Sequence, residues 1–508
     1  MDQQTNSKLK TDFLISNDAP LSHPIQTTLE PKFKKCNECK RRRKVYNRAD
    51  QICYQCYKAK KVPLSGNKVI DDFIKYTLTN YCKKEGGMEF VPYDRFKDVE
   101  FIAEGGFSKI YKAIWIDGPI NNWNEDDQKH NTYGTMTVAL KELDKSENIN
   151  SKELNELKIY YDFVLKWKPN KGSRSFNIKK DPDETNDYYL NLSYHNKVNI
   201  YYGITQNPIT KNFMIIIKYY KSGDLTHYIA DDFFSHSWVA KLKILQNIIS
   251  GLKNIHDANI IHKDYHSGNI FYNGEIGDLG LSKSAIESLD DDNEIYGVIP
   301  YIAPEVLQKE KYTKASDIYS FSMIMWELMT GRKPFWDRSH DTELIIEISC
   351  GGLRPPIVTN APEGYIELMK ECWHSDPNKR PTATEIYEMI KDILWCNDGI
   401  FPSVIASSDI GPITNNPNAI YESRPLSAMI KSVELTRSLK IERSLYCQNN
   451  YKTFNGDKRK FDNSIEDTEN NNDNGYLTRE LEFDIEDNIN PFKSNKNNYS
   501  TKEINFDI

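Results

Sequence analysis

Three oxygen-bearing side chains, Asp264, Asn269 and Asp278, lie in one short stretch. It runs Ile261-His262-Lys263-Asp264-Tyr265-His266-Ser267-Gly268-Asn269-Ile270 and closes on Asp278-Leu279-Gly280. One carboxylate can orient a hydroxyl and take its proton. An amide oxygen and a second carboxylate are hard donors of the kind Mg2+ accepts. A hydroxyl attacking a phosphoryl group needs those groups together. A second constellation, Cys36-x2-Cys39 and then Cys53-x2-Cys56, stands near the amino end. Two matched knuckles let four thiolates surround one tetrahedral Zn2+, which makes this a candidate structural zinc site. Cys82, Cys350, Cys372, Cys396 and Cys447 show no such pairing.

Other segments around the first constellation could handle phosphate. Ile102-Ala103-Glu104-Gly105-Gly106-Phe107-Ser108-Lys109-Ile110 lies between two strand-like stretches, and glycines there would let backbone approach a ligand. Taken alone, a two-glycine turn is more often a plain hairpin. Val138-Ala139-Leu140-Lys141 reads as a strand, and Glu156 follows on a helix whose Leu157, Tyr160, Tyr161 and Val164 share one face. Lys141 and Glu156 could pair, or could be an exposed lysine and an ordinary helix glutamate. Ile217-Lys218-Tyr219-Tyr220 could be an edge strand.

The order of these segments resembles that of the protein kinase superfamily, down to Ala303-Pro304-Glu305, Asp317 and Asp376-Pro377-Asn378-Lys379-Arg380-Pro381-Thr382. The stretch from Cys372-Trp373 to Pro381 is most similar to the tyrosine-kinase-like and tyrosine-kinase branches. The amino-terminal arrangement and tail show a looser likeness to large fungal kinase-like families. The resemblance implies an α+β fold of two lobes, a small antiparallel sheet with one key helix and a larger helical lobe. It implies ATP and Mg2+ as cofactors and a protein hydroxyl, Ser or Thr before Tyr, as acceptor. It makes Asp264 the base, Asn269 and Asp278 the Mg2+ ligands, and Lys141 the phosphate contact held by Glu156. Ile102, Ala103, Glu104, Gly105, Gly106, Phe107, Ser108, Ile110 and Ala139 would border the nucleotide. The backbones of Lys218 and Tyr220 would face adenine, Asp317 would anchor the catalytic loop, and Arg380 would pair with Glu305.

This chain also departs from the pattern. Ala103 and Ser108 replace glycines. Lys263 stands where arginine is usual, and an ammonium cannot make a guanidinium's bidentate clamp on a phosphorylated loop. His266 occupies the place of a phosphate-facing lysine and, at an ordinary pKa of about 6.5, would be mostly neutral. Val298 lacks a hydroxyl that serine/threonine kinases use. A scaffold that binds nucleotide without catalysis is therefore the alternative. A third reading gives the working role to the cysteine module. Lys40 to Lys44, with Tyr46, Tyr54 and Tyr57 interleaved, could meet nucleic acid or act as a nuclear import signal, or could simply offset the thiolates and face water.

The elements that must position these residues are legible as pattern. Strands are expected at Phe96–Phe101, from Ile110 to Ile116 and at Met136–Leu140, with Asp117 to Gly134 a hairpin insertion and Lys166 to Asp187 a second loop. Asn273-Gly274 marks a tight hairpin that returns the chain toward Asp278, shorter than is usual. Leu242, Leu245, Ile248, Ile249 and Leu252 mark one long helix, and Phe321, Ile324, Met325 and Leu328 another. A helix at Val69, Ile70, Phe73 and Ile74 leads in from the cysteine module. The expected division is a disordered 1–30, a zinc module at 31–62, a helical linker at 63–94, a kinase domain at 95–396 and a mostly disordered tail at 397–508. Within that tail only the stretch near Leu426–Leu445 is weakly helical.

With 39% hydrophobic residues and 31 tyrosines, the chain can build a large core. The formal charge of -7 is unevenly distributed, basic at 32–61 and acidic toward the end, so it excludes little. No apolar run reaches the roughly twenty residues that span a bilayer. Nine cysteines without a secretory signal point to a reducing compartment, cytoplasmic or nuclear, with no membrane partner.

Overall fold

A computed structural model describes residues 33–80, 87–105, 108–149, 153–167, 196–231, 233–272, 274–285, 294–358, 361–396, 401 and 408–436. The expectations for 1–30, Cys82, Gly106, Phe107, most of the second insertion, Asn273, Cys447 and the end of the tail lie outside them. The chain divides into units 1–442 and 443–508, the second wholly outside the described residues.

The amino-terminal module is built from two two-stranded sheets and a short helix. β1 (Lys34–Lys35) pairs with β2 (Arg42–Arg43), β3 (Val45–Asn47) pairs with β4 (Ile52–Cys53), and α1 (Tyr54–Ala59) follows. Its core is small: Ile52 with the buried Cys36, Cys53 and Cys56. So few apolar residues cannot offset the entropy of ordering the chain, which is where a metal would contribute. α2 (Lys68–Asn80) then leads to the main sheet.

That sheet has six strands. β5 (Glu89–Phe90) lies at one edge, followed by β11 (Tyr201–Gln206), β12 (Phe213–Lys218), β10 (Met136–Leu143), β7 (Ser108–Trp115) and β6 (Phe96–Glu104). All neighbours are antiparallel except β5 and β11, which run parallel. Side chains alternate between faces along each strand. Val138, Leu140, Met214 and Ile216 pack with Phe96, Trp115 and Tyr202 on one face, whereas Ala139, Ile215 and Ile217 join the main core on the other. The expected insertion is a hairpin, β8 (Ile120–Asn124) with β9 (Lys129–Thr132). α3 (Asn155–Lys166) lies on the main-core face, with Leu157, Tyr160, Tyr161 and Phe163 buried.

The second lobe is helical. The helix Trp238–Asp257 begins where the Ser237 side chain accepts from the Ala240 N–H, and buries Leu242, Leu245, Ile248, Ile249 and Leu252 as expected. The helix Lys314–Thr330 starts in a Thr313/Ser316 capping box and ends at Gly331, whose φ of +72° glycine adopts without strain. It is buried from Ser316 onward, as befits the centre of a lobe. Fold class and lobe composition agree with expectation.

The tail differs. Residues 408–436 pack on the helical lobe rather than forming a disordered extension. Gly411 N–H donates to Thr330 O at 2.7 Å, and His340 N–H to Asn418 O at 3.1 Å. A helix over 427–436 buries Leu426, Ile430 and Val433. The stretch near Leu426–Leu445 read as weakly helical thus contains this helix, whereas the packing of 408–425 was not expected.

Candidate active site

Lys141, on the central strand β10, points at α3. Its Nζ lies 2.9 Å from Glu156 Oε2 and 2.7 Å from Asp278 Oδ1. Lys141 and Glu156 side chains are under 10% exposed, Asp278 is 40% exposed. Burial would lower the Lys141 pKa, but the two carboxylates outweigh it and raise it, so the ammonium stays charged. The carboxylates share that ammonium unequally: Glu156, more deeply buried, is raised by desolvation, whereas Asp278 is lowered because Lys141 and the Gly280 N–H offset its burial. Tyr201 completes the arrangement. Its hydroxyl donates to Glu156 Oε1 at 2.8 Å and accepts from the Leu279 N–H at 3.3 Å. Asn155 donates to the carbonyls of Gly280 and Ser282. Neither residue carried a spacing signal, since both act through tertiary contact.

The second half of the site is the loop after Trp238–Asp257. Asp317 accepts from the backbone N–H groups of His262 and Lys263 at 2.9 and 3.0 Å and lies 2.9 Å from His256 Nε2. Lys263 takes φ of +71°, a conformation that those bonds hold in place. Asn269 Nδ2 donates to Asp264 O at 2.9 Å and to Asp264 Oδ2 at 3.2 Å, which turns the amide oxygen away from the carboxylate. The short hairpin closes, with Phe271 N–H donating to Glu275 O and Gly277 N–H to Asn269 O, and so delivers Asp278 to Lys141. Beneath the loop, buried Glu327 accepts from Ser267 Oγ and from Tyr301 OH, both at 2.8 Å. This hub too was invisible in the spacing. Arg380 holds Glu305 in a buried fork at 2.7 Å on each arm.

One expectation changes. His266 is not held at an ordinary pKa: burial would lower it, but Asp264, whose Oδ2 lies 3.6 Å away, raises it on balance. The Lys218 N–H donates to Ile200 O at 3.1 Å, so any adenine contact from Lys218 falls to its carbonyl. The Tyr220 ring stacks on Phe271 at 4.2 Å. In the glycine-rich turn, Gly105 N–H donates to Ser108 O at 2.8 Å and Ile102, Ala103 and Glu104 extend β6. Ile110 lies on β7 opposite Lys141, whereas Ser108 and Ala139 are buried.

The cysteine sulfurs of Cys36, Cys39, Cys53 and Cys56 all lie within 4.8 Å of one another, with Cys39 and Cys53 3.8 Å apart. Tetrahedral zinc with bonds of about 2.3 Å requires sulfur separations of about 3.8 Å, so the donor set fits that ion. Burial opposes ionisation of Cys36, but backbone donors, among them the Cys53 N–H at 3.2 Å, bring its pKa to about 6. Cys56 is pushed up by burial and by its neighbouring sulfurs, a repulsion that a cation would relieve. The interleaved tyrosines turn toward the β8–β9 hairpin. Tyr54 and Tyr46 hydroxyls donate to Glu125 at 2.6 and 3.1 Å, and Tyr57 meets Trp123 edge-on.

Residues 183–390 match the family described as protein tyrosine and serine/threonine kinase. The chain thus contains a domain similar to the eukaryotic protein kinase superfamily. It is 27% identical over 335 residues to the cyclic GMP-binding protein C of Dictyostelium discoideum, covering 60% of this chain and 11% of that protein. It is 31% identical over 255 residues to the probable serine/threonine-protein kinase roco6 of the same organism, covering 46% and 12%. It is 29% identical over 261 residues to ephrin type-A receptor 5 of Gallus gallus, covering 48% and 25%. The chain thus spans a quarter or less of the length of these relatives. Among the described residues no helix is long and apolar enough to cross a membrane.

Proposed function

We propose that this kinase domain transfers the γ-phosphoryl group of ATP to hydroxyls of protein substrates in intracellular signalling, Ser and Thr before Tyr. The observation that carries the reading is the Lys141 ammonium held between Glu156 and Asp278, with Asp264 and Asn269 joined on the facing loop. Asp278 and Asn269 supply the oxygen donors that would hold Mg2+, which when bound neutralises charge on the phosphates. Lys141 positions phosphate oxygens, held by Glu156, which Tyr201 holds in turn. Asp264 orients the acceptor hydroxyl and takes its proton, and Asn269 fixes the Asp264 carboxylate by donating to it. His266 stands beside Asp264 where a lysine stands elsewhere, and Asp264 raises its pKa, which favours the charged imidazolium. Zinc in the amino-terminal module is structural. Relatives named as serine/threonine kinases favour Ser and Thr as acceptors.

The test is phosphate incorporation from labelled ATP with magnesium, on the chain itself and on a generic protein, followed by phosphoamino-acid analysis. Labelling should fall roughly 10²–10⁴-fold in Asp264→Asn, the range for a positioned base. Equal labelling by that variant removes Asp264 as the base. Nucleotide binding without labelling by the unmutated chain transfers the argument to the scaffold reading.

A further inference from the structure

The stretch from Ile295 to Tyr301 passes the candidate base. A methyl group on Gly297 would stand 3.7 Å from Asp264 Oδ1, so this backbone borders the place where an acceptor hydroxyl must sit. The far end of the stretch is fixed from within the helical lobe. Val298, Ile299 and Tyr301 are buried, Tyr301 O accepts from Ser320 Oγ at 2.7 Å, and the Tyr301 hydroxyl reaches Glu327. The near end is held by other means. Its extended backbone presents N–H and C=O groups that need partners if they are to stay in one place.

The tail supplies those partners. Tyr296–Gly297 pairs antiparallel with Arg424–Pro425, in register Tyr296 with Pro425 and Gly297 with Arg424. Leu426 N–H donates to Ile295 O at 2.8 Å, and Ile295 N–H to Ser427 Oγ at 2.8 Å. The tail strand is anchored in turn. Arg424 donates to His340 O at 2.6 Å, the Tyr421 hydroxyl donates to Pro334 O at 3.0 Å, and Glu434 pairs with Lys309. Leu426, Ile430 and Val433 are at most 2% exposed and join the core of the lobe. One further contact comes from the catalytic loop side. The Tyr312 hydroxyl donates to Tyr296 O at 2.7 Å, and Lys263 Nζ lies 5.5 Å from the centre of the Tyr312 ring. Lys263, which cannot make the bidentate phosphate clamp of an arginine, thus stands against the residue that holds Tyr296.

We propose that residues 408–436 are a built-in clamp that fixes 295–301 beside Asp264, with Leu426 and Ser427 as positioning residues, and that the clamp replaces phosphate-dependent ordering of this stretch. The inference rests on the kinase reading given above. Releasing the tail strand would pull Leu426, Ile430 and Val433 out of the lobe's core, so the clamp is a standing part of the domain rather than a switch. It acts on the protein acceptor and not on the nucleotide. Among the described residues the bonds that hold Lys141, Glu156 and Asp278 come from one another, Tyr201, Gly280 and the short hairpin, none of them from the tail.

The experiment compares the full chain with Ser427→Ala and Leu426→Asp by hydrogen exchange, and by initial rates of casein labelling with ATP and magnesium at varied casein and varied ATP. Exchange should quicken at Ile295 in Ser427→Ala and across 295–297 in Leu426→Asp, while the Lys314–Thr330 helix stays protected. The KM for casein should rise in both variants, further in Leu426→Asp, with the KM for ATP unchanged. Phosphatase treatment of the unmutated chain beforehand should leave its initial rate unchanged. Unaltered exchange at 295–297 in a folded Leu426→Asp chain overturns the inference, as does faster casein labelling by that variant, which would make the tail a cover over the site. A rate lost on phosphatase treatment overturns the claim that the clamp replaces phosphate. If Leu426→Asp also deprotects Lys314–Thr330, Ser427→Ala decides alone. An unmutated chain that labels nothing, with exchange changing as expected, brings down the kinase reading and leaves the clamp standing.

Discussion

Glu327 offers a test of the hub beneath the catalytic loop that needs no substrate. Its carboxyl is 1% exposed and desolvation raises its pKa from 4.5 to about 7, against the lowering pull of the Tyr301 and Ser267 hydroxyls. The folded chain therefore holds this proton more tightly than the unfolded one. The resulting stability is fully present below about pH 4.5 and is lost as pH rises through about 7. The difference between those values corresponds to about 3 kcal/mol. Glu327→Gln keeps the shape and an acceptor oxygen but cannot ionise. Comparison of the two proteins cancels every other titrating group, so unmutated minus variant stability should fall by about 3 kcal/mol between pH 4 and pH 8. By the usual relation for domains of this size that is a melting-temperature difference of about 6–12 °C. Calorimetry or denaturant titration at each pH reads it. A difference that is flat with pH, or that rises, would refute the account of Glu327 as a carboxyl kept partly protonated by burial.

Other expectations can be checked alongside. Arg380→Ala leaves the Glu305 carboxylate buried and unpaired, and should destabilise the helical lobe by about 3–5 kcal/mol in denaturant titration. Tyr201→Phe removes one bond to Glu156 and one from Leu279, so nucleotide should bind while turnover drops, a split read as lower kcat with little change in KM. Cys53→Ser should abolish stoichiometric zinc by metal analysis. By hydrogen exchange it should deprotect α2 while leaving the Lys314–Thr330 helix protected.

The parts of the site that could be read in the sequence are those carried by local chemistry. Lys141 sits in a strand whose alternation places it, Glu156 on a helix whose apolar face orients it, and Asp278 at the end of a hairpin marked by Asn273-Gly274. Asp317, Glu305 and Arg380 were named because a resemblance supplied partners far apart in the chain. Tyr201 and Asn155 escaped because nothing in a run of strand or helix residues distinguishes the one that reaches across to Leu279 or Gly280. Glu327 escaped because a glutamate in an apolar helix reads as an exposed face until Ser267 and Tyr301 are folded over it. His266 was misjudged for the same reason: its titration is set by Asp264 as well as by the imidazole itself. In the tail the helical pattern near Leu426–Leu445 was legible but its seat was not, because Leu426, Ile430 and Val433 suffice to anchor a helix only when a lobe already offers the core.

The cysteine module shows how a peripheral element can matter to Glu156. Arg43 donates to Thr79 O, the last turn of α2, and Glu38 bridges Lys60 and Lys75, so module and linker helix are tied at both charge and backbone. α2 in turn lies on α3: Phe73 and Tyr76 meet the Tyr161 ring edge-on, and the Tyr161 hydroxyl donates to Thr77 O. α3 carries Glu156, which holds Lys141. A second route runs from Tyr46, Tyr54 and Tyr57 to the hairpin β8–β9, which makes that insertion a landing surface for the module rather than a spare loop. These contacts use tyrosine faces and hydroxyls that a nucleic-acid platform would need for stacking. Of the basic residues, Lys60 pairs with Glu38, Arg43 donates to the Cys53 sulfur, and Lys58 and Lys61 lie over the Tyr54 and Tyr57 rings. The module is thus built into the small lobe, and a metal that ordered it would bear on the helix that carries Glu156.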